Sequence, residues 1–128
     1  MIVAGLVLAA VAALVHVYIF FLESIAWTSP RALRTFGQTR EAAEAQKELA
    51  FNQGFYNLFL AIVAALGVVL FATGAAVVGA TLVFTGVGSM LAASLVLLIS
   101  SPDKAAAALK QGLVPALSVI ALAIGLAL

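Results

Sequence analysis

The sequence predicts an all-α membrane protein: a bundle of four transmembrane helices, with helix two extended into the cytoplasm. Three observations predict it. Hydrophobic residues make up 66% of the 128-residue chain and charged residues only 9%, against about 45–50% and about 25% in soluble domains. A water-soluble chain this short has too little interior to hide so much apolar surface. The few charges also fall between long uncharged runs whose lengths suit membrane spans. A soluble enzyme, a nucleic-acid binder and a disordered tail are thereby excluded as classes. The net charge of +1 gives no footprint for nucleic acid. With no Cys there is neither disulfide nor thiolate chemistry.

The first uncharged run, Met1–Leu22, ends at Glu23. Ala10-Val11-Ala12-Ala13 has the look of a secretory cleavage region. However, there is no basic n-region and the apolar run continues beyond it, so an uncleaved first span is expected. Helix one should end at Trp27-Thr28-Ser29-Pro30, because Pro30 disfavours α geometry at Ser29 and Trp27 suits a membrane interface. Leu49–Pro102 is uncharged throughout. As one helix it would be about 81 Å long, far more than the roughly 30 Å hydrocarbon core. It must be two helices turning at Ala72-Thr73-Gly74-Ala75-Ala76. The last run, Gln111–Leu128, is near the lower limit for a span. The expected helices are 2–28, 48–72, 77–100 and 111–128, forming one integral membrane domain over 1–128.

Helix two should begin before the membrane. Thr39 can cap it, Glu41 suits its first turn, and Arg40/Glu44 and Glu44/Lys47 have helical pair spacing. On helix three, Thr81, Thr85, Ser89 and Ala93 form a small-residue stripe that suits close packing, within the bundle or between protomers. Pro115 should fall in the first turn or so of helix four. All six basic residues (Arg31, Arg34, Arg40, Lys47, Lys104, Lys110) lie in the first and third connections. The positive-inside rule places those connections in the cytoplasm and both termini outside.

Ionisable groups within a span are expensive and point by default to function. His16 lies near the centre of helix one. Glu23 follows seven residues later, within about 20° of the same face. In helix two, Asn52, Gln53, Tyr56 and Asn57 form one polar face. Gln111 enters helix four at the same level. Lipid cannot satisfy these groups, so they should face one another or a cavity. Singly, each could be interhelical hydrogen-bond glue. Together they suggest a site in the cytoplasmic half that takes a small or lipid-like ligand. His16 can move protons near neutral pH. Glu23 can act as acid, base or proton carrier, exchanging protons with water and relaying them to His16. The amides offer donors and acceptors to a polar ligand. One His and one convincing carboxylate do not make a zinc site, so no metal is expected. Haem with His16 as its single axial ligand has no other support, and no cofactor is assigned. There is no phosphate loop, nucleotide fingerprint or Ser-His-Asp spacing.

The run His16-Val17-Tyr18-Ile19-Phe20-Phe21-Leu22-Glu23, then Trp27, Phe36-Gly37, Asn52-Gln53-Gly54-Phe55-Tyr56-Asn57, Gln111-Gly112 and Pro115-Ala116 resembles the bacterial membrane-protein family called domain of unknown function 1304. The resemblance covers nearly the whole chain. It implies a small four-helix inner-membrane protein and no particular activity. Two further readings stand beside the ligand site. One is a proton-coupled exporter acting as a homodimer, motivated by a membrane carboxylate in helix one. The other is a structural or accessory subunit, motivated by the helix-three stripe. Whether the protein is an enzyme stays open at this point.

Overall fold

The computed structural model describes residues 1–128. Every regular element is helical. Helix α1 (Ile2–Phe20) runs into a π-helical turn (Phe21–Ile25). Two short helices follow, α2 (Pro30–Phe36) and α3 (Arg40–Ala45). Then come α4 (Lys47–Ala72), α5 (Ala76–Ser100), a 3₁₀ turn (Pro102–Lys104) and α6 (Ala105–Ala127). Four segments are long and apolar enough to cross a membrane: Ile2–Ile25, Lys47–Ala72, Ala76–Ser100 and Pro102–Ala127. They close into a ring in which α1 and α5 each pack against both α4 and α6. The short helices and the 3₁₀ turn lie at one end of this ring, together with all six Lys and Arg. We call it the basic end.

The bundle is built for lipid rather than water. Its core is mostly small: Ala9, Ala12, Ala61 and Ala64 pack with Val83, Val87, Met90 and Leu122. The bulky residues face out, among them Val3, Leu14, Phe59, Ile62, Val96 and Ile99. In lipid the helices gain nothing by hiding large side chains from an equally apolar solvent, and small residues let the backbones approach. The buried Ser118 hydroxyl donates to Gly5 O at 2.9 Å and ties α6 to α1.

Several boundaries differ from the sequence expectation, each for a local reason. Helix one leaves helical geometry at Ala26, not at Thr28. Ser29 then caps a new helix, its Oγ accepting from Ala32 N at 3.2 Å with Pro30 in the first turn. That helix, α2, was not foreseen. Thr39 does cap a helix, accepting from Ala42 N at 3.2 Å. The extension of helix two is nevertheless a separate element, because the chain breaks at Gln46 (φ −108°, ψ 5°). Glu44 and Lys47 therefore sit on different helices. Helix α6 starts at Ala105 rather than Gln111, since the Ala105–Ala108 run forms helix readily and the charge of Lys110 does not end it. Pro115 is consequently well inside α6 and buried, not in its first turn. It cannot supply the amide proton that Gln111 O would otherwise receive. Thr81, Thr85 and Ser89 lie on the outer surface. Each hydroxyl donates to the carbonyl four residues earlier, at 2.7–2.8 Å, so the stripe is not buried within the bundle.

A close seam at the basic end joins the π turn to α4. Ser24 Oγ donates to Phe51 O at 2.7 Å. A Cβ added at Gly54 would collide with Ser24 Oγ and come within 3.1 Å of Glu23 Cβ. Only glycine lets the two backbones meet here. Gly54→Ala is expected to lower the unfolding free energy by roughly 1–3 kcal/mol. Gly88→Ala, where nothing lies within 4 Å of the added carbon, should stay within about 0.5 kcal/mol of the parent. Unfolding in detergent checks both, and an unchanged Gly54→Ala would count against the seam.

Candidate functional site: a polar cavity at the basic end

The π turn positions the acidic residue of the site. In an α-helix the amide of Ala26 would bond to Leu22 O. Here it bonds to Phe21 O at 2.9 Å, which widens the turn that carries Glu23. The Glu23 carboxylate accepts from Asn57 Nδ2 at 2.7 Å. The same amide nitrogen donates to Gln53 O at 3.2 Å. Both Asn57 amide protons are thus used, and its side-chain carbonyl remains available.

His16 is 2% exposed. Its Nδ1 lies 2.9 Å from Ala12 O. A carbonyl only accepts, so Nδ1 carries the proton. Nε2 of the neutral ring has no protein partner and is left as an acceptor.

Both residues line a single cavity of about 400 Å³. It lies inside the ring, bounded by His16, Leu60 and Met90 in the bundle and by Gln38, Gln46 and Lys104 from the connecting segments. Among the residues singled out in the sequence, His16, Glu23, Gln53, Asn57 and Gln111 all line it. Asn52 and Tyr56 do not. Both are exposed, Tyr56 at 64%, so the polar face of helix two is divided between the cavity and the outer surface. Asn57 and Gln53 turn towards the π turn, and their neighbours on that face turn away from it. The site contains no group of three or more His, Asp or Glu residues able to hold a metal.

Sequence reasoning missed a roof. Residues between the π turn and α4 cover the cavity with Trp27, Phe36, Gly37, Gln38, Ala42 and Gln46. Trp27 is not a free interfacial anchor. Its Nε1 donates to Ala43 O at 2.8 Å and its ring packs on Phe36 with centroids 5.2 Å apart. Gly37 takes a left-handed conformation (φ 64°) at the end of α2, which suits glycine and turns the chain so that Gln38 borders the cavity. Ser29-Pro30 followed by Gly37 was the available signal, a start and a stop enclosing a short helix. A second, smaller cavity of about 200 Å³ shares Glu23, Trp27, Gln46 and Gln53 with the first. It adds Leu49 and Ala50 of α4.

Residues 10–123 match the family described as "Protein of unknown function (DUF1304)". The chain belongs to this family. The DUF1304 match takes in every residue of the cavity. Comparison with curated proteins gave no match, and comparison with solved structures gave none.

The Glu23–Asn57 bond makes a stability prediction. Glu23→Ala leaves a half-buried amide proton of Asn57 unpaired and should cost about 1–3 kcal/mol. Glu23→Gln, which can still accept through its carbonyl, should cost less. Tyr56→Ala on the outer face should change stability by no more than about 0.5 kcal/mol. The order of the three unfolding midpoints in detergent is the test. A neutral Glu23→Ala would remove the bond from the account.

Proposed function

We propose that this is a bacterial inner-membrane protein that binds a small or lipid-like ligand in the cytoplasmic half of its bundle. The observation that carries this reading is the cavity of about 400 Å³ that unites His16, Glu23 and Asn57. Polar groups inside a membrane protein are normally spent on one another. Here His16 Nε2 and the Asn57 carbonyl are not, and they border an open volume of a size suited to a small molecule. The neighbouring cavity beside Leu49 and Ala50 marks the side from which an amphipathic molecule would enter. Beneath His16 the bundle is closed by Ala9, Ala12, Val83 and Val87, which favours a one-ended pocket over the through-path of an exporter.

Trp27 is the only tryptophan and it lines the cavity, so its fluorescence can report occupancy. The protein in phosphatidylcholine nanodiscs, titrated with a mixed phospholipid extract brominated in its acyl chains, should show saturable quenching of Trp27. Ala93→Phe, which places a ring where the cavity wall is now a methyl group, should leave only weak quenching that rises linearly. Linear quenching in both proteins would reject the reading.

The proposed orientation has its own test. The chain has no Cys, so single cysteines can be placed at Thr35, Asp103 and Ala75. A membrane-impermeant thiol reagent added to intact cells should label Ala75→Cys and spare Thr35→Cys and Asp103→Cys. The reverse pattern would invert the topology.

A further inference from the structure

The cavity holds one carboxylate, Glu23, and one ammonium, Lys104. Neither is matched by a charge of the protein. Glu23 has a single side-chain partner, the neutral Asn57 amide. Lys104 sits on the 3₁₀ turn at the rim and lines the same cavity without forming an ion pair with Glu23. The remaining groups divide in the same sense. Gln38, at the roof, has an amide nitrogen shut off from solvent and without a hydrogen-bond partner. Deeper than Lys104 the unspent groups are acceptors: the Asn57 carbonyl and the second oxygen of Glu23, with His16 Nε2 about two helical turns further in. The cavity thus carries a cation at its rim and a carboxylate with unspent acceptors further in.

We propose that the ligand is a zwitterion bearing a phosphate or carboxylate and a primary ammonium. Its anion is held by Lys104 at the rim. Its ammonium is held by Glu23 and the Asn57 carbonyl. Such a molecule pairs with both charges at once, and Glu23, set among apolar helices, gains most from a partner. A quaternary ammonium fits less well, because it has no N–H to give to these acceptors. A lipid with no cation leaves Glu23 unmatched. This chemistry occurs in the headgroup of phosphatidylethanolamine and in free phosphoethanolamine.

The inference rests on the ligand-binding reading above, but it fails separately. The same nanodiscs are titrated in turn with phosphatidylethanolamine, phosphatidylcholine and phosphatidylglycerol, each brominated near the ester end of its chains. Trp27 quenching should reach half saturation at about tenfold less phosphatidylethanolamine than either of the others, as the loss of one charged hydrogen bond implies. Free phosphoethanolamine is added as a competitor. Relief of quenching shows that the headgroup alone suffices, and no relief assigns the site to the whole lipid. Glu23→Gln should bring the preference close to unity, whereas Lys104→Gln, which removes the partner of the phosphate that all three lipids share, should raise half saturation several-fold for each of them and keep the preference. Lys104 is exposed at the rim, so its variant keeps the test valid even if Glu23→Gln fails to fold. Equal half saturation for all three lipids, or a preference for phosphatidylcholine or phosphatidylglycerol, overturns the zwitterion assignment and leaves the pocket standing. Half saturation unchanged for all three lipids in Lys104→Gln overturns it as well. No saturable quenching with any lipid rejects the pocket itself.

Discussion

The basic end of this bundle depends on the meeting of the π turn with Gly54. Lipid offers no hydrogen bonds, so a carboxylate in a span must find its partner on a neighbouring helix. Glu23 reaches Asn57 because α1 widens at Phe21–Ile25 and because α4 presents a residue with no side chain opposite Ser24. Ser24 then fixes the turn by donating to Phe51 O. The widened turn, the glycine and the two hydrogen bonds form one unit. Asn57 is held from both sides, and the cavity wall between α1 and α4 takes its shape from that arrangement.

The roof has a different origin. It is made from a connection that carries half of the basic residues and would pass, by composition, for a solvated loop. Its order comes from caps and a pin. Ser29 and Thr39 each bond the amide three residues on, Gly37 reverses the chain in between, and Trp27 reaches across to Ala43 O. These are weak contributions singly, about 1 kcal/mol for a cap. Their joint effect is to hold Gln38 and Gln46 over a polar volume inside the membrane domain.

Much of this was legible in the sequence. Four apolar runs separated by charge specify the four helices, and the positions of Glu23, Asn57 and Gln111 place them at one level, with His16 about two turns deeper. The limits of legibility are equally physical. A π turn leaves no periodic trace, so the angle between His16 and Glu23 could be counted only as if α1 were regular. Asn52 and Tyr56 share a helical face with Asn57, yet helical angle alone does not tell which part of a wide face a neighbour covers. Helix α6 was read as starting where charge stops, although charge does not end a helix, and Pro115 was placed at its start as a result. Gln38 and Lys104 belong to connections, where position depends on turn geometry that composition does not encode.

Pro115 divides α6 into two parts with different attachments. Beyond it, Ser118 and Leu122 are fastened to α1 and the core. Before it, Ala107 and Gln111 form cavity wall. Between these parts one rung of the helical ladder is absent, because proline has no proton for Gln111 O. The helix is weakest in bending at that level. A bend at this level costs α6 no further backbone hydrogen bond, and it would shift the cavity wall while leaving the Ser118–Gly5 attachment in place.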